Sequence, residues 1–298
     1  MYERYYGLKE RPFDLTPNPR YLFLSANHRE GLSHLKYGIS GRKGITLLIG
    51  DAGTGKTTLV HAALEQQQDH AASVYLSNPM LTRSEFFEFL TWGFQLPPAA
   101  ETSKTRFLLE LTRALTERHA AGRASALIID EAQCLPDELL EEIRLLANIE
   151  TAVDKLLPVI LVGQPELADR MNQPSLRQLK QRVALRCVLP SLNASETAAY
   201  ISNRINVAGG HGDQLFTSGA IESIFEYSHG IPRTISVICD NALVSGFAAE
   251  ERPIGRQTVL EVCRDFDLHQ VAPPASPSAS PLGPPVISAA ATRDTSFF

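Results

Sequence analysis

The sequence lacks the features that are typical of a membrane protein, of a secreted disulfide-bonded protein or of a zinc-binding protein. Its four cysteines lie far apart and show none of the C-x-x-C or Cys/His spacings typical of zinc sites. It has no run of eighteen apolar residues, and its opening, MYERYYGLKERPF, carries charges and aromatic rings where a signal peptide has an apolar stretch. We therefore expect a cytoplasmic protein whose cysteines pack as small apolar residues in a reducing compartment.

Positive charge is also scarce. The 298 residues include 28 Lys and Arg against 33 Asp and Glu, a formal net charge of −5. This balance gives no general attraction to nucleic acid, so DNA binding would need a local basic patch. The apolar content of 44% and charged content of 20% are typical of a soluble globular protein.

What the sequence does contain is a glycine-rich segment, GDAGTGKTT, directly after the apolar run ITLLI at 45–49. It matches the pattern G-x-x-x-x-G-K-[ST], in which glycines let backbone N–H groups surround phosphate oxygens and the next helix adds its positive end. A plain glycine-rich turn with an exposed lysine is the simpler alternative. The strand before the segment and the helical pattern after it favour a nucleoside triphosphate site. The predicted ATP-binding residues are Gly50, Asp51, Ala52, Gly53, Thr54, Gly55, Lys56, Thr57 and Thr58.

A second motif, ALIIDEAQ at 126–133, ends an apolar strand in an acidic pair. Residues at the carboxyl ends of strands in an α/β sheet face the crevice where ligands bind. We expect the hydroxyl of Thr57 to bind Mg²⁺ directly and Asp130 to hold it through water, while Lys56 reaches the β- and γ-phosphates. We expect Glu131 to polarise the attacking water as general base. An acidic helix N-terminus is the alternative interpretation, and the phosphate loop upstream favours the catalytic one.

Short apolar strands alternate with helical patterns from residue 45 onward, after a first helical pattern at 26–40. Strands are predicted at 45–49, 73–77, 125–129, 157–162 and 184–189, and helices at 57–68, 84–95, 104–121, 137–149 and 174–181. This alternation predicts an α/β fold, a parallel sheet with helices on both faces.

From residue 194 the pattern changes to helices alone, at 194–208, 217–228, 232–249 and 255–268. Residues 269–298 are rich in Pro, Ser and Ala without periodicity, which predicts a disordered tail. The predicted organisation is therefore a linker and helix flanking the nucleotide site over 1–44, an α/β core over 45–190, a helical unit over 191–268 and the tail over 269–298.

The order of these motifs resembles that of the AAA+ ATPases, which have an extra strand, here 73–77, between the phosphate loop and the acidic strand. The resemblance implies a P-loop NTPase core, its parallel sheet sandwiched by helices, followed by a small all-helical lid domain. It implies that Asn78 switches Glu131 between inactive and active orientations, although an Asn-Pro turn explains the same residue. PVILVGQPEL at 158–167 resembles the strand of the first sensor, which implies that Gln164 lies near the γ-phosphate.

Two further segments resemble arginine sites of that superfamily. SLRQLKQRVALRCVLPSL at 175–192 resembles the segment whose arginine finger reaches a neighbouring subunit's nucleotide, with Arg182 as first candidate and Arg177 as second. A solvated basic face explains the same arginines. HGIPRTI at 229–235 resembles the second sensor, which implies that Arg233 touches the γ-phosphate from the lid; an ordinary helix start with Pro is the alternative.

A more specific resemblance begins with YYGLKERPFDLTPNPRYLFLSANHREGLSHLKYGI and covers residues 1–268. The sequence is similar here to the secretion-associated ATPases typified by ExeA, also called GspA. That family includes exosortase-linked and MshM-type pilus ATPases. The resemblance implies ATP and Mg²⁺ as cofactors, a homo-oligomeric ring such as a hexamer, and partners in cell-envelope machinery at the inner membrane. It also implies that Phe13 and His28 flank the adenine, although packing or capping explains either residue equally well.

ExeA-type proteins continue from the ATPase into a membrane span and a peptidoglycan-binding domain, so the tail at 269–298 favours the exosortase-linked or pilus-linked subset. The expected function is ATP hydrolysis that drives assembly or remodelling of a secretion, pilus or exopolysaccharide-export system. The alternative is a DNA-associated regulator resembling the transposition ATPases, which the acidic charge balance disfavours. A third reading, ATP as a structural switch with very slow turnover, is left open by the motifs.

Overall fold

A five-stranded parallel sheet forms the centre of the computed structural model, which describes residues 1–16, 18–67 and 71–268. The strand order is β2-β3-β4-β1-β5, so the strand that leads into the phosphate loop lies between two neighbours. The predicted sheet is therefore confirmed, with bounds shifted by one or two residues. The strands are β1 (Ile45–Gly50), β2 (Ala71–Leu76), β3 (Ala124–Ile129), β4 (Val159–Gly163) and β5 (Val183–Leu189).

Helices cover both faces of this sheet, and others form a separate unit. The α-helices, in chain order, are α1 (Glu3–Tyr6), α2 (Ala26–Ser40), α3 (Lys56–Glu65), α4 (Arg83–Gly93), α5 (Lys104–Ala120), α6 (Asp137–Leu146), α7 (Pro165–Met171), α8 (Arg177–Lys180), α9 (Ala194–Val207), α10 (Ser218–Ser228), α11 (Pro232–Ala248) and α12 (Arg256–Asp265). Because successive strand residues point to opposite faces, Leu47 and Ile49 pack with α4, α5 and α6, whereas Leu48 packs with α2 and α3.

The helical unit expected after the sheet is present as α9 to α12, which share an apolar core of their own. The N-terminal residues belong largely to this core: Tyr2, Tyr6, Leu8, Phe13 and Tyr21 are buried in it, whereas α2 packs on the sheet. The structure therefore divides the unit predicted over 1–44. Burial of these five side chains explains the division. Removing their apolar surface from water against the lid stabilises the fold, whereas leaving them exposed in a linker would not.

Three other local predictions differ from the structure. The helix α7 was not predicted; Gln164 precedes it, and Pro165 occupies its first position, where a missing N–H costs nothing. The helix predicted at 174–181 is a single turn of 3₁₀-helix at Pro174–Leu176 followed by the short α8. The helix predicted at 57–68 ends at Glu65, and residue 68 lies outside the described residues. The tail predicted at 269–298 also lies outside the described residues.

The structure describes residues 1–16, 18–67 and 71–268. Within these residues, no helix is both long enough and apolar enough to span a bilayer.

Candidate functional site

A cleft of about 460 Å³ lies between the carboxyl end of the sheet and the helical unit. Its residues come from four places: the N-terminal segment, the phosphate loop, the end of β3, and the helices α9 and α11. The lining residues are Asp14, Leu15, Thr16, Asn18, Tyr21, Ala52, Gly53, Gly55, Lys56, Thr57, Thr58, Glu131, Tyr200, Arg204, Pro232, Arg233 and Ser236.

The phosphate loop curls between β1 and α3 in a conformation that depends on glycine. Gly53 and Gly55 have φ angles of 82° and 94°, the left-handed region in which a side chain is strained. The side chain of Lys56, only 5% exposed, folds back over the loop, and its Nζ donates to the carbonyl oxygens of Gly50 at 2.8 Å and Asp51 at 2.9 Å. The loop thus holds a buried cation within the cleft, where phosphate oxygens would be strong partners.

Burial lowers the pKa of Lys56, and the nearby carboxylates of Glu131 and Asp130 act in the opposite direction. Desolvation disfavours the charged ammonium, whereas negative neighbours favour it. An anionic ligand at this position would add to the second effect and stabilise the charged form of Lys56.

The first turn of α11 contacts the phosphate loop directly. The backbone N–H of Arg233 donates to the carbonyl oxygen of Gly53 at 3.2 Å, and a Cβ at Gly53 would stand 2.8 Å from the Cβ of Arg233. Glycine is therefore required at position 53 by this close approach as well as by its φ angle. The second-sensor candidate Arg233 lies where the sequence predicted it, at the start of a lid helix and in the cleft lining.

Thr57 and Asp130 meet at the carboxyl end of the sheet. The hydroxyl of Thr57 donates to Asp130 Oδ2 at 2.7 Å, and the phenol of Tyr75 donates to the same oxygen at 2.8 Å. The other oxygen, Oδ1, accepts from the backbone N–H of Glu131 at 2.9 Å. The pKa of Tyr75 is raised by burial and by its bond to Asp130, which keeps the phenol protonated as a donor.

These oxygen donors fit Mg²⁺. A hydroxyl and one carboxylate, completed by phosphate and water oxygens, form the hard, incomplete ligand set that this cation takes at nucleotide sites. Within the described residues no group of three or more His, Cys, Asp and Glu side chains could hold a metal by itself. The chemistry of the site therefore suits a cation that arrives with a nucleotide, held by Thr57 and Asp130.

Glu131 has an unusual backbone. Its φ of 50° lies in the left-handed region, which is strained for a residue with a side chain and which Arg42, Gln95, His229, Glu250 and Asp267 also adopt. Its carboxylate Oε2 accepts hydrogen bonds from the side-chain amides of Gln133 and Gln164, the latter at 3.2 Å. Gln164 thus contacts the predicted base, as its position at the end of β4 suggests.

Asn78 does not make the contact predicted for it. Its Oδ1 accepts from the backbone N–H of Met80 at 3.3 Å, the Asn-Pro turn given above as the alternative. No hydrogen bond joins Asn78 to Glu131 in the described part of the chain, where the carboxylate is held by Gln133 instead.

The two finger candidates lie away from this cleft. Arg182 immediately precedes β5, and Ile45 pairs with Val183 at that end of the sheet, whereas Gly50 pairs with Leu189 at the end that bears the phosphate loop. Arg177 begins α8, and both arginines are exposed. Neither lines the cleft of its own chain, so a nucleotide partner for either would have to belong to another copy.

Phe13 does not line the cleft, whereas His28 lines a pocket of about 70 Å³ that shares Tyr21, Tyr200 and Arg204 with the cleft. Phe13 is 1% exposed in the lid core, with its ring 6.4 Å from that of Phe216. His28 is buried behind the phosphate loop, with Nδ1 2.8 Å from Ser25 Oγ and Nε2 3.1 Å from the carbonyl oxygen of Thr54. Because a carbonyl only accepts, Nε2 carries the proton and Nδ1 accepts from the serine. Phe13 therefore takes the packing role, and His28 braces the phosphate loop while also lining the smaller pocket.

Arg204 is the main cleft residue that no motif signalled. It is 9% exposed, its guanidinium carbon lies 4.8 Å from the centre of the Tyr21 ring, and it donates to Tyr200 Oη at 3.0 Å and to the carbonyl oxygens of Pro12 and Asp14. It thus fastens the N-terminal segment to α9 beside the nucleotide cleft. The only signal in the sequence is its spacing of four from Tyr200 on a helix, which occurs widely.

Comparisons with known proteins agree with this architecture. Residues 39–171 match the AAA domain family. The chain is 42% identical over 249 residues to General secretion pathway protein A of Aeromonas hydrophila, which covers 83% of this chain and 45% of that protein. The chain therefore spans less than half the length of this relative.

Solved structures show the same fold at low sequence identity. The ORC2 protein of Aeropyrum pernix, in its ADPNP-ADP complexes, aligns with a TM-score of 0.63 at 16% identity over 89% of this chain and 73% of that one. The RuvB Holliday junction branch migration motor of Thermotoga maritima aligns with a TM-score of 0.52 at 21% identity over 81% and 69%.

Proposed function

Since the chain belongs to the AAA+ ATPases of the GspA-like family, we propose that its cleft binds ATP with Mg²⁺ and hydrolyses it to ADP and phosphate. We propose further that this turnover drives assembly or remodelling of a cell-envelope secretion, pilus or exopolysaccharide-export system. The observation that supports hydrolysis best is the convergence of Lys56, Thr57 and Glu131 in one cleft, with Asp130 hydrogen-bonded to Thr57.

Each residue has a distinct part in this proposal. Lys56 and the N–H groups of residues 50–58 bind the β- and γ-phosphates. Thr57 and Asp130 hold Mg²⁺, which when bound neutralises charge on the phosphates. Glu131 orients and polarises the attacking water as general base, and Arg233 approaches the γ-phosphate from the lid.

The lid gives ATP turnover a mechanical consequence. Arg233 belongs to α11, and its backbone is hydrogen-bonded to Gly53 of the phosphate loop. The N-terminal residues share the core of α9 to α12, so they would move with the lid rather than with the sheet. Closure over ATP and relaxation after hydrolysis would then shift residues 2–16 and 18–21 together with the helical unit as one body.

We infer assembly into a ring from the position of the arginine-finger candidate Arg182. Arg182 is exposed at the end of the sheet opposite its own cleft, so it would serve the nucleotide of a neighbouring copy. A guanidinium suits this part because it stays charged and binds phosphate oxygens bidentately. The ring would work with envelope partners at the inner face of the cell membrane.

The test is the steady-state ATPase rate across protein concentration, alone and with duplex DNA. We expect specific activity to rise with concentration in the wild type and to stay low in Arg182→Ala, which should bind ATP normally. Arg186→Ala is the matched control, because Arg186 is also exposed in the same stretch. If Arg177→Ala removes the rise instead, the finger is Arg177.

Light scattering with ATP provides the independent readout of assembly. A monomer at every concentration would contradict the ring. Strong, salt-sensitive stimulation by DNA would contradict the envelope role and favour the DNA-associated alternative. A wild-type protein that binds ATP without turnover would contradict the enzyme itself.

A further inference from the structure

Gln133 joins the candidate general base to the strand that carries the first-sensor residue. Its side-chain nitrogen donates to Glu131 Oε2, and its Oε1 accepts from the backbone N–H of Gln164 at 3.1 Å. No other described side chain bonds both the Glu131 carboxylate and the backbone at the end of β4. The residue was not among the sites predicted from the sequence.

The orientation of this amide is fixed by chemistry. A backbone N–H can only donate, so the atom that faces Gln164 must be the amide oxygen, and the NH₂ group must face Glu131. The fit around Oε1 is close, because a Cβ at Gly163 would stand 2.9 Å from it. The backbone of Gln133 is held as well, since Arg170 Nη1 donates to its carbonyl oxygen at 2.7 Å.

We propose that Gln133 is a positioning residue for hydrolysis: it anchors one oxygen of Glu131 so that the other is presented to the attacking water. This inference rests on the proposed ATPase function. Oε2 accepts from both Gln133 and Gln164, whereas Oε1 accepts no hydrogen bond from any residue that the structure describes. A carboxylate held at one oxygen keeps lone pairs on the other for a proton from water.

The anchor is needed because the backbone alone does not fix the side chain. Glu131 sits in a strained left-handed conformation, and without Gln133 only the 3.2 Å bond from Gln164 would hold its carboxylate. Gln164 is itself the residue expected to face the γ-phosphate. Gln133 therefore keeps the base in place when Gln164 turns toward nucleotide.

Two substitutions separate positioning from a merely structural brace. Gln133→Glu keeps an oxygen for the N–H of Gln164 but replaces the donor with a carboxylate that repels Glu131. Gln133→Met removes both hydrogen bonds with little change in size. The control is Gln257→Met, which breaks a similar Gln–Glu hydrogen bond of 2.9 Å on the exposed face of α12, remote from the cleft.

The experiment measures kcat, KM and the Kd of a fluorescent ATP analogue with Mg²⁺ for all four proteins. We expect kcat to fall about tenfold in Gln133→Met and about 100-fold in Gln133→Glu, since a hydrogen bond to a charged group is lost in the first and repulsion is added in the second. The Kd should stay within about twofold of wild type, and Gln257→Met should match wild type throughout.

Wild-type kcat in Gln133→Glu would overturn the proposal, since it would mean that the residue only braces the chain at Gln164. A loss of kcat matched by an equal loss of nucleotide affinity would overturn it too. A wild type and control that bind the analogue but do not turn over ATP would overturn the ATPase function, and the role of Gln133 with it. The controls thus distinguish the two failures.

Discussion

The two walls of the cleft differ in where their residues come from. The phosphate wall, residues 50–58 with Asp130 and Glu131, comes from two short segments that follow β1 and β3, two strands that β4 separates in the sheet. The lid wall, Tyr21, Tyr200, Arg204 and Arg233, comes from three segments spread over more than two hundred positions. Backbone geometry forms the first wall and tertiary packing forms the second, so substitutions should affect them in different ways. Those in the first wall should change ligand binding or turnover with little change in stability, and those in the second should change affinity and stability together.

The largest effect is expected in the phosphate wall. Lys56→Ala should weaken ATP affinity more than about 100-fold, because it removes the buried cation that faces the phosphates. The measurement is titration with a fluorescent ATP analogue, with thermal unfolding alongside. The control is Lys43→Ala, since Lys43 stacks 5.4 Å from the Tyr37 ring outside the cleft. Near-normal affinity in Lys56→Ala would mean that nucleotide binds elsewhere.

An intermediate effect is expected in the lid wall. Arg204→Met should lower the free energy of unfolding by about 2 to 3 kcal/mol, because it leaves the carbonyl oxygens of Pro12 and Asp14 without their donor. ATP affinity should fall about tenfold, since the N-terminal segment is no longer held at the cleft. Urea unfolding and nucleotide titration measure the two effects.

Lysine should not restore the function of Arg204. Arg204→Lys keeps the charge but loses the planar group that bonds two carbonyls while lying against the Tyr21 ring. Arg264→Met, at an exposed site on α12, is the control. If Arg204→Met lost affinity with unchanged stability, the lid wall would resemble the phosphate wall and the distinction between them would be wrong.

The smallest effect is expected in the pH dependence of stability, through His28, which joins α2 to the phosphate loop. Burial lowers the pKa of His28, so below about pH 6.5, the ordinary histidine pKa, the unfolded chain binds a proton that the folded chain resists. Stability contributed by neutral His28 is therefore complete above that pH and declines as the pH falls toward the folded-state pKa.

His28→Gln tests this pH dependence. Glutamine can still accept from Ser25 and donate to Thr54 but does not titrate, so its stability should fall less than that of wild type between pH 7 and pH 5. Unfolding in urea across this range gives the comparison, with His211→Gln at an exposed position as control. Parallel curves for wild type and His28→Gln would show that His28 is not held neutral by the fold.

The sequence indicated the phosphate wall because each of its two segments carries a local pattern. Glycine tolerates the turns at Gly53 and Gly55, and the strand ends place Asp130 beside Thr57. Gln133 escaped notice because its role depends on the backbone N–H at Gln164, thirty-one residues away. A glutamine three residues after Asp130 carries no signal by itself.

The lid wall was harder to predict, for a physical reason. Arg204 is held by carbonyl oxygens, which every residue has, so its partners leave no trace in the sequence. The aromatic residues of the opening, read as a linker, pack with α9 to α12 because those helices leave apolar surface that only distant residues cover. Asn78 shows the converse: a position that matched a family pattern makes a local turn instead.

The measurement that tests the central claim most directly is single-turnover ATP hydrolysis by wild type and Glu131→Gln, with nucleotide affinity determined on the same samples. Glutamine keeps the shape of the side chain but cannot take a proton from water. We expect ATP affinity to stay within a few-fold while the hydrolysis rate falls at least about 100-fold. Equal rates in the two proteins would contradict the assignment of this cleft as an ATPase site with Glu131 as its base.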